Sequence, residues 1–312
     1  MKILFADTTH PDLPELLEKA GFENEEFRCR TKDECLNIID QYDGIIIRSK
    51  FIIDEELLEK ATKLKFIGRV GAGMENIDVK AAESRGIKCF NSPEGNRNAV
   101  GEHALGMLLA LQNNLIRANK DVNQGKWRRE ANRGTELKGK TLGIIGFGNT
   151  GSAFAKKLSG MEMRILAYDK YKSNFAPAYV EETSMQTLFE ACDIVSFHVP
   201  FTDETHFMAD TDFINAFAKP VILINTARGK VIKTSHLVEA MKREKVRGAC
   251  LDVLEYEAVS FEHLHKKALP EEFRYLCESD NVVLSPHIAG WTHESNIKLS
   301  SVLAEKIIAE FA

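Results

Sequence analysis

The chain has 312 residues, enough for two domains with sizeable cores, and its 44% hydrophobic and 28% charged residues are ordinary for a soluble globular protein. A formal net charge of −5 argues against a nucleic-acid partner or a membrane surface, because neither acidic partner attracts an acidic protein. The six cysteines (Cys29, Cys35, Cys89, Cys192, Cys250, Cys277) form no CxxC pair and mostly sit in apolar runs, so buried, reduced thiols in a cytoplasmic protein are expected rather than a zinc site or a disulfide framework. No run approaches the roughly 18 apolar residues of a membrane span, and Lys2-Ile-Leu-Phe-Ala-Asp7 reads as a strand, not as a signal peptide.

In chain order, the first 95 or so residues alternate short apolar strands with helices. Strands are predicted at 2–6, 26–29, 44–48, 66–69 and 88–90, and helices at 13–20, 54–61 and 79–85. Continuous apolar strands between helices indicate a parallel sheet covered on both faces. A long helix follows from about Asn98 to Gln124, with Val100, Ala104, Met107, Leu108, Leu111 and Leu115 on one stripe. It is expected either to connect two domains or to serve as a dimerisation arm.

Leu142, Ile144 and Ile145 then form an apolar strand that runs into Gly146-Phe-Gly148-Asn-Thr-Gly151, with a helical pattern after it. In such a turn the first glycine permits the bend, the second lets backbone N–H groups approach a pyrophosphate, and the third lets the helix pack on the strand. The helix N-terminus, with Asn149 and Thr150, adds its dipole. A second strand ends at Asp169, 18 residues past Gly151, where a carboxylate accepts from an adenosine ribose 2′-OH and repels a 2′-phosphate. The expected cofactor is NAD rather than NADP.

Beyond this point strands are predicted at 194–199, 221–226, 247–253 and 282–285, with helices at 185–191, 210–217 and 234–243. The result is a doubly wound sheet of about six strands. A last amphipathic helix, His293 to Phe311, is expected to return to the first domain. Three of these strands deliver chemistry: Asn225-Thr-Ala-Arg-Gly229, Leu251-Asp-Val-Leu-Glu-Tyr-Glu257 and Leu284-Ser-Pro-His-Ile-Ala-Gly290. Together they supply a bidentate carboxylate binder, a carboxylate and an imidazole, which are the groups that hydride transfer to a 2-oxo acid requires.

These segments, with Gly71-Ala-Gly-Met-Glu-Asn-Ile-Asp78 and the glycine-rich turn, resemble the D-isomer-specific 2-hydroxyacid dehydrogenases over essentially the whole chain. The resemblance implies an α/β architecture of two Rossmann-like, doubly wound parallel-sheet domains with an interdomain active-site cleft. Residues 1–96 and 287–312 would form the substrate domain and 97–286 the NAD domain. It further implies that Arg228 binds the substrate carboxylate, that His287 is the acid/base and that Glu257 orients His287. Asp252 would meet the nicotinamide carboxamide, Pro200 and Thr226 would complete the cofactor contacts, and N–H groups around Ala72 and Gly73 would form an anion nest. Family members usually carry Pro after the catalytic Glu, whereas Ala258 follows here and a long charged run succeeds it, so Glu255 and Glu262 stay open as partners of His287.

Substrate choice has to be read from the first domain. Arg48 and Arg69 end strands there, and two guanidinium groups at strand ends are costly unless an anion meets them. With Arg129, after the long helix, they match arginines that the phosphoglycerate dehydrogenases of the family use for a substrate phosphate, the last from a neighbouring subunit. The resemblance therefore implies oxidation of D-3-phosphoglycerate to 3-phosphohydroxypyruvate, on the route to serine, by a homodimer without the regulatory domains of longer members. A hydroxypyruvate or glyoxylate reductase is the alternative, and an NAD(H)-sensing binding protein a more distant one. No metal is expected.

Overall fold

The computed structural model describes residues 1–26, 29, 31–257 and 269–312. Among these, the chain divides into two compact units, one of Met1–Arg97 and Trp291–Ala312, the other of Asn98–Glu257 and 269–290.

In the first unit the order is β1 (Lys2–Phe5), α1 (Asp12–Lys19), β2 (Glu23–Glu25), α2 (Lys32–Leu36), β3 (Gly44–Ile47), α3 (Glu55–Lys60), β4 (Phe66–Arg69), α4 (Val79–Ser84) and β5 (Lys88–Asn91). Its sheet is parallel with strand order β2-β1-β3-β4-β5. Strand residues alternate between two cores, as the two-residue period of a strand requires. Leu4, Ile45, Ile47 and Ile67 face a cluster with Leu57 and Ala82, whereas Ile3, Phe5, Ile46 and Phe66 face one with Leu13 and Leu17. Side-chain caps start several helices: Thr31 for α2, Asp54 for α3 and Asp78 for α4, each accepting from a backbone N–H three residues on.

The second unit begins within α5 (Pro93–Gln112) and continues through α6 (Leu115–Asn123), β6 (Thr141–Ile145), α7 (Asn149–Leu158), β7 (Arg164–Tyr168), β8 (Glu181–Glu182), α8 (Met185–Ala191), β9 (Ile194–Phe197), α9 (Thr211–Ala216), β10 (Val221–Asn225), α10 (Thr234–Lys242), β11 (Val246–Leu251), α11 (Glu271–Glu278) and β12 (Val282–Leu284). Its seven parallel strands run β12-β11-β10-β9-β6-β7-β8. Two Rossmann-like doubly wound sheets are thus present. The final helix, α12 (His293–Phe311), opens on a Thr292–Ser295 capping box and sends Leu299, Leu303 and Ile307 into the core of the first sheet.

Three expectations need adjusting. The second strand lies at Glu23–Glu25 rather than 26–29, because β1 pairs Lys2 with Glu23 and leaves β2 a polar edge; residues 27 and 28 lie outside the described residues. The long helix starts earlier, with Pro93 at its first position, and is broken at Asn114, whose φ of 52° is the left-handed conformation asparagine tolerates. The buried stripe ends with it: Leu111 is buried and Leu115 is 54% exposed. The first unit resumes at Trp291 rather than at 287, because 287–289 are tied to Asp252 in the second unit.

Candidate active site

Strand register assembles the site of the second unit. Tyr168, Ile145, Phe197, Asn225, Leu251 and Leu284 are successive neighbours across six parallel strands. The next residue of each strand therefore leaves the sheet along one carboxyl edge: Asp169, Gly146, His198, Thr226, Asp252 and Ser285. Doubly wound sheets bind ligands at that edge.

The glycine-rich turn has the form a pyrophosphate needs. Gly146 has φ 90°, and a Cβ there would stand 2.6 Å from the His198 carbonyl oxygen. A Cβ on Gly151 would stand 2.2 Å from the Gly146 carbonyl oxygen, so the helix can approach the strand only with glycine. At Gly148 nothing lies within 4 Å of that position, which leaves room for a ligand. Thr150, in the first turn of α7, has its Oγ1 3.2 Å from His198 Nδ1, and His198 Nε2 is 2.8 Å from Ser196 Oγ. Burial pushes the His198 imidazole down to about 3, so it is neutral and serves as a hydrogen-bonding strut. Sequence reasoning overlooked His198, although it directly follows a buried strand.

Asp169 accepts from the N–H of Phe147 at 2.8 Å and of Tyr171 at 3.0 Å, which fixes its carboxylate beside the glycine turn. The Thr226 Oγ1 is buried without a protein hydrogen-bond partner. An orphaned hydroxyl at the carboxyl edge, an open glycine and a helix N-terminus fit a dinucleotide. The Pro200 carbonyl accepts from Thr205 Oγ1 at 2.7 Å.

His287 and Glu257 come together, with Nδ1 2.5 Å from Oε2. The other oxygen, Oε1, accepts from the Leu254 N–H at 2.5 Å, so a tight turn aims the carboxylate at the ring. Glu255 is engaged elsewhere, its Oε1 accepting from the Thr234 N–H at the start of α10, and Glu262 lies outside the described residues. His287 has φ 55°, a left-handed conformation that costs a non-glycine residue of order 1–3 kcal/mol.

Asp252 holds that conformation in place. Its carbonyl oxygen accepts from the His287 N–H at 2.7 Å. The residue is 2% exposed, and its carboxylate accepts from Ser285 Oγ at 2.5 Å and from the N–H groups of Ile288 and Ala289 at 2.9 and 2.8 Å. His103, from α5, lies 2.8 Å from Ser285 Oγ and 3.5 Å from the same carboxylate. Burial pushes the Asp252 carboxyl up, but the bonds from His103, Ser285, Ala289 and Ile288 outweigh it and hold the group below its ordinary value. Asp252, expected to meet the nicotinamide, is thus occupied within its own chain. Sequence reasoning overlooked His103, which lies among the apolar stripe residues of the long helix.

Arg228 leaves β10 through a turn in which Asn225 bonds both the Ala227 N–H and the Arg228 carbonyl, each at 3.0 Å. Its Nη1 donates to the Ala227 carbonyl at 2.7 Å. Gly229 is required beside it, since a Cβ there would fall 2.1 Å from the Leu254 backbone.

In the first unit Ile47, Arg69 and Asn91 are neighbours at the ends of β3, β4 and β5. Arg48 follows immediately, its carbonyl accepting from Arg69 Nε at 3.1 Å and its guanidinium 4.5 Å from the Trp291 ring. Gly71 leaves space for the Arg69 side chain, whose Nη1 occupies the place of a Cβ. The Ala72 carbonyl accepts from Asn91 Nδ2 at 2.6 Å, and Ala72 and Gly73 are half-buried. Arg129 belongs to the other unit and is exposed, whereas its neighbour Arg128 pairs with Asp121. Among the described residues no group of three or more His, Cys, Asp or Glu is placed to hold a metal, and no helix is long and apolar enough to cross a membrane.

Residues 105–289 match the model of the D-isomer specific 2-hydroxyacid dehydrogenase NAD binding domain. A D-3-phosphoglycerate dehydrogenase of Archaeoglobus fulgidus is 35% identical over 310 residues; the match covers 99% of this chain but 57% of that relative, so the chain spans little more than half its length. A hydroxypyruvate reductase of Thermotoga maritima is 38% identical over 279 residues, 89% of this chain and 88% of the relative. The crystal structure of a D-lactate dehydrogenase from Aquifex aeolicus with NAD and lactic acid superposes with a TM-score of 0.84 at 28% identity, covering 99% of this chain and 95% of that one.

Proposed function

Because the chain belongs to the D-isomer-specific 2-hydroxyacid dehydrogenase family, whose NAD-binding domain it contains, we infer that it is an NAD-dependent dehydrogenase of D-2-hydroxy acids and that its substrate is D-3-phosphoglycerate. The observation that carries the dehydrogenase reading is the 2.5 Å contact of His287 with Glu257 on the sheet edge from which Arg228 also emerges, and the phosphorylated substrate rests on Arg48 and Arg69 side by side at the ends of β3 and β4. NAD, if bound there, would supply the acceptor for the hydride from the substrate's C2.

In this reading the second unit is the nucleotide domain. Gly146, Gly148, Asn149, Thr150 and Gly151 hold the pyrophosphate, Asp169 the adenosine ribose, and Pro200 and Thr226 the rest of the cofactor. Arg228 holds the substrate carboxylate bidentately and draws electron density from the C2 oxygen as it becomes a carbonyl. His287 removes the hydroxyl proton, and the Glu257 carboxylate at Nδ1 stabilises the imidazolium that results. Asp252 acts behind them as a positioning residue for the His287 turn. The first unit is the substrate domain, with the N–H groups of Ala72 and Gly73 for the carboxylate and Arg48 and Arg69 for the phosphate. Arg129 would serve a partner subunit. Leu115, Ile116, Val122 and Trp127, all more than half exposed, support a homodimer, and the free cysteines are in keeping with the cytoplasm.

The relative from Thermotoga maritima favours one rival, a hydroxypyruvate reductase. Steady-state kinetics decide between them: 3-phosphoglycerate with NAD, and hydroxypyruvate with NADH, for wild type, Arg48→Ala and Arg69→Ala. Each variant should lose about ten- to a hundredfold in kcat/KM on the phosphorylated substrate, at roughly 1.5–3 kcal/mol per charge-assisted contact, and little on hydroxypyruvate. A wild type that prefers hydroxypyruvate, or variants that affect both substrates equally, would refute the phosphoglycerate reading.

A further inference from the structure

The loop after β7 carries two lysines immediately beyond Asp169, which is unexpected in a site that excludes a 2′-phosphate. Lysine or arginine there is what accommodates the extra phosphate of NADP. Both lysines are engaged elsewhere. Lys172 Nζ donates to the Phe147 carbonyl at 3.0 Å. Lys170 Nζ donates to Glu204 Oε1 at 2.7 Å, and the Tyr171 hydroxyl donates to Glu204 Oε2 at 2.5 Å. The Lys170 ammonium also lies 5.5 Å from the Tyr171 ring. Glu204 comes from the loop after β9, two strands from β7 in the sheet, so it bridges the two loops at the ribose end of the carboxyl edge.

Resting on the nucleotide site assigned above, we propose that Glu204 is a positioning residue for cofactor selectivity: it draws Lys170 and Tyr171 away from the place of a 2′-phosphate. The hydrogen bond to Glu204 holds the Lys170 ammonium above its ordinary value, and that from Lys170, followed by that from Tyr171, holds the Glu204 carboxyl below its own. Lys170 and Glu204 are each about half exposed, 55% and 52%, so the pair contributes little to folding and can be altered without unfolding the unit. Asp169 repels the phosphate directly; Glu204 withholds the cation that would otherwise attract it.

The test is fluorescence titration of NADPH and NADH into wild type, Glu204→Gln and Glu204→Gln/Lys170→Met, with melting temperatures alongside. Glu204→Gln should tighten NADPH about five- to twentyfold, the effect of one released charge-assisted contact, while the Kd for NADH moves about twofold or less. The double variant should lose the gain, because Lys170 is the group released. The gain should also shrink with added salt. An NADPH Kd within twofold of wild type in Glu204→Gln, or a gain that persists in the double variant, overturns the proposal. A wild type that binds neither nucleotide overturns the nucleotide site itself, and the proposal with it.

Discussion

Asparagine at position 252 would keep the shape of the buried aspartate and remove its charge. Both Asp252 carboxylate oxygens face donors: Ser285 Oγ and the Ile288 N–H on one, the Ala289 N–H on the other. An amide offers one oxygen, so in either orientation its NH2 confronts at least one backbone N–H. A buried donor left without an acceptor costs about 1–3 kcal/mol, and the surviving bonds lose their charge assistance, for a total of about 2–4 kcal/mol. A unit of this size should then melt about 4–16 °C lower by calorimetry. His287, at φ 55° and tied by its N–H to the Asp252 carbonyl, is the residue most exposed to the loosened turn, so kcat should fall about ten- to a hundredfold. NADH affinity, read by fluorescence, should change about threefold or less. If Asp252 instead met the nicotinamide, the pattern would invert: an unchanged melting temperature and an NADH Kd weakened tenfold or more would refute the reasoning. The pH dependence offers a second check. A carboxyl held below its ordinary value stabilises the fold fully above its unfolded pKa of about 3.9, and that stabilisation is lost as the pH falls through the depressed folded value. The difference in melting temperature between wild type and variant should therefore stay constant from about pH 8 to 5 and shrink only in stronger acid.

Arg228→Ala should lower kcat/KM by about a thousandfold or more, about 4 kcal/mol, with NADH affinity nearly intact; a variant keeping a tenth of the activity would remove Arg228 as the carboxylate anchor. Glu257→Gln retains one acceptor for two donors, Leu254 N–H and His287 Nδ1, and should cost about a hundredfold in kcat without altering cofactor binding. Gly151→Ala places a methyl 2.2 Å from the Gly146 carbonyl oxygen, so α7 must shift; the NADH Kd, by calorimetric titration, should weaken about tenfold or more. His198, pushed by burial down to about 3, takes up a proton on unfolding anywhere between that value and its ordinary 6.5 or so, and destabilises the fold progressively as the pH falls below 6.5. In His198→Asn the slope of unfolding free energy against pH, measured by urea denaturation from pH 6 to 4, should drop by about one proton per chain; an unchanged slope would mean that His198 is charged in the fold.

Much of this fold could be read from residue order, since a parallel strand buried on both faces is a continuous apolar run that ends where the chain turns. Ile45–Ile47, Val221–Asn225 and the glycine turn were recognisable for that reason. What escaped detection depends on contacts distant in sequence. Glu23–Glu25 is a strand only because β1 offers it a partner, and nothing in its own composition indicates one. The break at Asn114 sits inside a helical period that the apolar stripe alone carries past it. In the site, Arg228, Glu257 and His287 stand in recognisable segments, but choosing Glu257 over Glu255 required knowing that Glu255 caps α10. The occupation of Asp252 by Ser285, His103 and two backbone amides, and the capture of Lys170 by Glu204, join residues 30 or more positions apart in all but name; no local pattern encodes them.

The return of α12 to the first sheet has a consequence for how this molecule is made. The layer formed by Phe5, Ile46 and Phe66 is covered by Leu299, Leu303 and Ile307, which a ribosome delivers only after all of residues 98–290. At about 5–20 residues per second, that interval is roughly ten to forty seconds. During it the second unit can already close its own cores, while the first half-layer stays uncovered, with parallel strand edges and aromatic rings open to other chains. Chaperone dependence during synthesis, and sensitivity to any lesion that removes or unravels α12, should therefore concentrate in the first unit, although that unit emerges first.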